Sequence, residues 1–162
     1  MKENDPSYGV VNNGCSGINS TQLRAHLTEL IEKDDDVILL MIGTNNRKLP
    51  NGMVVLFHDL IDIMKRLKAM NKKVILMMAN PVTSEDDHYV NRLFKQEDVN
   101  EVLKKVAMQS NVTFINYYEY IHRYMNQTGE SIESLMIHGD GLHPTDKVHK
   151  LMFKHLIELL EL

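Results

Sequence analysis

The chain has 162 residues, 43% of them hydrophobic and 25% charged, ordinary proportions for one folded domain that buries a core. A net charge of -4, a pI near 6.0 and interspersed acids and bases offer no basic surface for nucleic acid, and no run reaches the ~18–20 apolar residues of a membrane span. The single cysteine, Cys15, excludes an intrachain disulfide and fits a reducing compartment; the polar, acidic start is unlike a secretory signal, so a cytoplasmic location is expected.

In chain order, Tyr8-Gly9-Val10-Val11 is a short apolar run, read as a strand over residues 9–11. It ends in the polar turn Asn12-Asn13-Gly14-Cys15-Ser16-Gly17. A helix follows, capped by Asn19 or Ser20 with Gln22 as capping-box partner, and carries Leu23, Leu27, Leu30 and Ile31 on one face. Residues 37–42 are a continuous apolar strand that stops at Gly43-Thr44-Asn45-Asn46-Arg47. An amphipathic helix spans 53–69, and a second buried strand spans 74–78 and ends at Asn80-Pro81.

Residues 82–88 read as a polar surface loop, and 89–109 as one long helix carrying Val90, Leu93, Phe94, Val99 and Leu103. Residues 112–115 form a shorter strand, 117–125 look helical, and 126–137 carry no clear period. A final helix begins after Pro144, placed to use proline in its first turn. Continuous apolar strands alternating with helices specify an α/β domain over residues 1–162: three layers around a parallel sheet of about four or five strands. Ligands of such sheets bind at the C-terminal strand ends, where the polar turns gather.

Three stretches carry chemistry. In His138-Gly139-Asp140-Gly141-Leu142-His143-Pro144, a carboxylate can fix an imidazole as general base; the same pair also reads as a helix-capping Asp beside a surface His. His138, Asp140 and His143 together suggest a metal cluster, but no further ligand set has metal-like spacing, so no metal is expected. Asn45 in the turn after residues 37–42 can donate to a developing oxyanion or simply make the turn. The Asn12–Gly17 turn offers N–H groups for an oxyanion, or for a phosphate, although Asn12 stands where a dinucleotide fingerprint needs glycine.

In combination, N-x-G-x-S-G after one strand, G-T-N-N after the next and D-G-L-H-P before a terminal helix resemble the SGNH (GDSL-type) hydrolase family, from Tyr8 to Leu162. The resemblance implies a flavodoxin-like three-layer fold and ester hydrolysis through an acyl-serine intermediate, with no cofactor. It implies His143 as catalytic base, Asp140 as its orienting carboxylate, and Gly14 and Asn45 as oxyanion donors. Where Asn46 stands, the family more often has aspartate.

The family's opening strand with Gly-Asp-Ser, which carries the nucleophile, has no counterpart before Tyr8. The expectation is therefore an N-terminally truncated domain with its nucleophile unknown. Ser7, Cys15 and Ser16 are poorly placed to substitute. Family analogy puts the missing strand between residues 9–11 and 37–42, so either these pair directly or a second copy of the chain, in a homo-oligomer, completes the sheet. The expected partner in catalysis is a small ester, acetyl on carbohydrate before long-chain lipid. The alternatives are a catalytically inactive or carbohydrate-binding relative, and a nucleotide- or phosphate-binding α/β protein.

Overall fold

The computed structural model describes residues 9–160. Three strands, β1 (Val37–Met41), β2 (Lys73–Met78) and β3 (Thr113–Asn116), form one parallel sheet in the order β1-β2-β3. Leu39 lies opposite Ile75, and Met77 opposite Ile115. The continuous apolar runs are parallel strands as expected, and the central one is buried at every position except Lys73.

The helices are α1 (Ser20–His26), α2 (Gly52–Ala69), α3 (Ser84–Asp87), α4 (Gln96–Ser110), α5 (Tyr117–Thr128), α6 (Ile132–Leu135) and α7 (Asp146–Leu160). A short 3-10 helix, Thr44–Lys48, follows β1. Because each strand adds to the same side of the last, right-handed crossovers put α2 and α4 on one face. There Leu56, Leu60, Leu76, Leu103 and Val106 are wholly buried, with Leu23 of α1 closing the cluster. On the other face Ile75, Met77 and Ile115 pack against Ile121, Val148 and Met152 from α5 and α7. The three-layer architecture is thus present, with a three-stranded sheet among the described residues rather than four or five strands.

The missing element is the expected strand over residues 9–11, which neither forms a strand nor pairs with β1. Val10 and Val11 are exposed. The segment is too short to bury a face, and its asparagines bind elsewhere: Asn12 Oδ1 accepts from Gly14 N–H (3.0 Å), and Asn13 Nδ2 donates to Leu30 O (2.8 Å). Side chains that bond locally in this way compete with a strand ladder.

Other boundaries shift for identifiable reasons. The capping box of Asn19 and Gln22 starts α1 as expected, but the helix ends at His26 while Leu30 and Ile31 still pack on the core. The helix expected from residue 89 begins only at Gln96. Residues 93 and 94 instead dock on Arg47: Leu93 N–H donates to Arg47 O (2.8 Å), and Arg47 Nε donates to Phe94 O (3.0 Å). Pro144 lies before α7, in an antiparallel bridge with Met136. The loop at 82–88 contains α3, capped by Thr83 Oγ1, which accepts from Asp86 N–H (3.2 Å).

β1 is unevenly covered. Ile38 and Leu40 enter the α1/α2/α4 core, whereas Val37, Leu39 and Met41 remain 46%, 39% and 40% exposed. Their register partners, including Ile75, show that they share the face served by α5 and α7. Those helices pack on Ile75 and Met77 of β2 and Ile115 of β3.

Candidate active site

The loop at residues 137–144 is a closed hairpin. Ile137 N–H donates to His143 O (2.9 Å), Thr145 N–H donates to Leu135 O (3.0 Å), and the turn accepts Asp140 N–H at Ile137 O (3.1 Å). Gly139 and Gly141 have φ of +78° and +69°, so both supply the left-handed backbone the turn needs. The result brings Asp140 and His143 together: Asp140 Oδ2 is 2.5 Å from His143 Nδ1, and Oδ1 accepts Leu142 N–H at 3.3 Å.

A carboxylate can only accept, so the neutral imidazole facing it carries its proton on Nδ1. Nε2 is then left with its lone pair, and the His143 side chain is 67% exposed. This is the protonation pattern of a general base waiting for a hydroxyl proton. Asp140 does not cap a helix. α7 starts at Asp146, and the capping role falls to Thr145, whose carbonyl accepts His149 N–H.

Gly14 and Asn45 lie in neighbouring segments. Asn45 Nδ2 donates to Ile18 O (3.1 Å), which ties the 3-10 helix to the loop that contains Gly14. An amide has two N–H donors, so Asn45 can hold Ile18 with one and offer the other. Gly14 has one donor, and Asn12 Oδ1 occupies it. An oxyanion reaches that N–H only by displacing Asn12. Cys15 is exposed, and its Sγ lies against Asn13 O. Among the described residues no serine hydrogen-bonds to His143; Ser7 lies outside them.

Asn46 is buried and does structural work. Its Oδ1 accepts Ser20 N–H (3.0 Å), its Nδ2 donates to Ser20 Oγ (2.7 Å), and Ser20 Oγ donates to Asp59 Oδ2 (2.8 Å). The departure from aspartate therefore changes a local network that joins α1 to α2. Among the described residues, no group of three or more His, Cys, Asp or Glu side chains could hold a metal. Tyr117 is core, its hydroxyl pKa pushed up to about 12 by burial, while Tyr120 stacks on His155 at 3.9 Å.

One cluster was not foreseen. Arg47, fully buried, donates to Asp86 Oδ2 (2.8 Å), Asp87 Oδ1 (2.5 Å) and Gln96 Oε1 (3.4 Å). Arg92 completes it on Asp86 Oδ1 (2.8 Å). Burial pushes the Asp86 carboxyl pKa upward, but the hydrogen bonds and charges of Arg92 and Arg47 outweigh this and hold it below the ordinary value. The sequence did contain a signal: Thr83-Ser84-Glu85-Asp86 has the spacing of a helix start with an acid at its third position.

A parallel α/β sheet with a carboxylate-paired imidazole on a loop before the last helix is an arrangement that can activate a hydroxyl. The chain belongs to the GDSL-like lipase/acylhydrolase family, whose profile matches residues 2–151. Its fold resembles the acetylxylan esterase Axe2 of Geobacillus stearothermophilus, with a TM-score of 0.74 at 20% identity, over 92% of this chain and 70% of that one. It also resembles a GDSL-like lipase of Parabacteroides merdae (0.70, 20%, covering 88% and 68%) and the acetyl xylan esterase AlAXEase (0.71, 18%, covering 90% and 78%). No curated protein matches the chain. The esterase class expected from the motifs is therefore this chain's class.

Proposed function

We propose that the protein cleaves small acyl esters, with O-acetyl groups on carbohydrate as the substrate class. The observation that carries this reading is the Asp140/His143 pair with Nε2 open to solvent. A serine hydroxyl attacks the ester carbonyl as Nε2 takes its proton, and Asp140 stabilises the imidazolium. The oxyanion is received by the second amide proton of Asn45 and by Gly14 N–H once Asn12 releases it. His143 returns the proton to the leaving alcohol, then activates water to free the acid. Two fold relatives that are themselves acetylxylan esterases support the acetyl preference.

The serine is to reach His143 on a strand laid along the open edge of β1, a strand that the described residues do not supply; a second copy of the chain can complete the sheet there without supplying that serine. A second reading draws on the occupied Gly14 donor: the site holds an acylated sugar without cleaving it. Turnover of p-nitrophenyl acetate and acetate release from acetylated xylo-oligosaccharide, for the protein and for His143→Ala, separate the two. The esterase reading expects both activities to vanish in the variant. Equal rates in the two proteins would sink it.

A further inference from the structure

We propose that Arg47, Asp86 and Thr83 form a positioning relay that holds the His143 base in register with the Asn45 amide. Asn45 and Arg47 lie on the same single turn, Thr44–Lys48. From Arg47 the link runs through its 2.8 Å bond to Asp86. Asp86 N–H donates to Thr83 Oγ1 (3.2 Å), and Thr83 N–H donates to Gly141 O (2.9 Å), inside the loop that carries His143.

A second strut runs beside the first. Gln96 Nε2 donates to Thr44 Oγ1 (3.2 Å) and Asn80 O (3.4 Å), and Asn80 Nδ2 donates to Leu142 O (3.3 Å). Both struts begin on the asparagine turn and end on the histidine loop.

The relay is built to be stiff. Arg47, Asp86, Thr83, Asn80 and Gln96 are all buried, where hydrogen bonds are strong and broken ones costly. Two arginines and two aspartates balance in charge, although Arg92 Nε is buried without a hydrogen-bond partner among the described residues. The last contact has no slack: a Cβ on Gly141 would lie 2.2 Å from Thr83 Oγ1. Acyl transfer needs base and oxyanion donor fixed relative to one carbonyl, and small misplacements remote from the chemistry are expensive. Arg47 and Thr83 act through other residues, so they are positioning residues rather than catalytic ones.

This rests on the acyl-transfer reading, so its test carries a readout independent of turnover. The ring 15N shifts of His143 report which nitrogen holds the proton. The intact protein should show mainly the Nδ1–H form. Thr83→Val should lower that fraction by about twofold or more and Thr83→Ser should restore it. On p-nitrophenyl acetate, Thr83→Val should lower kcat by about 10- to 100-fold with little change in KM.

If Thr83→Val lowers the melting temperature yet leaves tautomer fraction and kcat unchanged, Thr83 is only a helix cap and the relay is wrong. If His143→Ala matches the intact protein in rate, the acyl-transfer reading fails, while the tautomer measurement still decides the relay. Should Thr83→Val not fold, Gly141→Ala takes its place. Gly141→Ala should lose the Nδ1–H form and Thr83→Ala/Gly141→Ala should regain it in part; identical spectra would refute the relay.

Discussion

Two clusters that pair acids with bases, one around Arg47 and one at Asp140 and His143, are built in opposite ways. Around Arg47 everything is closed: the guanidinium is 0% exposed, and Asp86 and Asp87 both accept from it. At Asp140 and His143 only one face is satisfied, and the side chains are 34% and 67% exposed. A sealed cluster cannot exchange protons readily, but it fixes the segments that enter it. An open one contributes little to folding, and its free nitrogen can react. The difference teaches that exposure, rather than the ion pair itself, separates scaffold from chemistry here.

The comparison breaks most severely at Arg47. Arg47→Ala takes a guanidinium partner from buried Asp86 and from Asp87, which is only partly buried, and should cost about 3–5 kcal/mol in urea unfolding. A loss under about 1 kcal/mol would mean that water replaces the guanidinium and the cluster is not sealed. Gly52 tests the neighbouring packing, because a Cβ there would lie 1.9 Å from Asn46 O. Gly52→Ala should destabilise by about 1–3 kcal/mol through a forced backbone shift.

Acid should find the sealed cluster as well. Asp86 has a folded pKa below its unfolded value of 3.8. Its contribution is therefore complete above that value and is lost as pH falls through the lower, folded one. The stability of the protein, followed by urea titrations below pH 4, should decline with a slope that is shallower in Asp86→Asn. The smallest effect belongs to the open pair: His143→Ala should change unfolding free energy by no more than about 0.5 kcal/mol. A larger loss would assign His143 a structural role.

The reactive pair was readable because it is local. Asp140 and His143 are three residues apart, between glycines whose need for positive φ is visible in the sequence. The central strand β2 was readable because a parallel strand covered on both faces must be continuously apolar; β1 shows the same run although one of its faces stays open. The Arg47 cluster was not, since its partners stand about 40 to 50 residues away and nothing about an arginine in a turn announces burial. The false helix start at residue 89 has the same origin. Val90, Leu93 and Phe94 keep a helical period, but the chain there is captured by Arg47, and Val90 ends 89% exposed.

The one-directional order of β1, β2 and β3 also bears on how the chain folds. The face closed by α1, α2 and α4 joins segments that are neighbours in sequence. The opposite face waits for α7, which returns to Ile75 and Met77 from the far end of the chain. Closing that long loop costs more chain entropy, so the first face should form early and the second late. In denaturant-dependent kinetics, Leu60→Ala should chiefly slow folding, and Met152→Ala should chiefly speed unfolding. The reverse pattern would place the nucleus under α7.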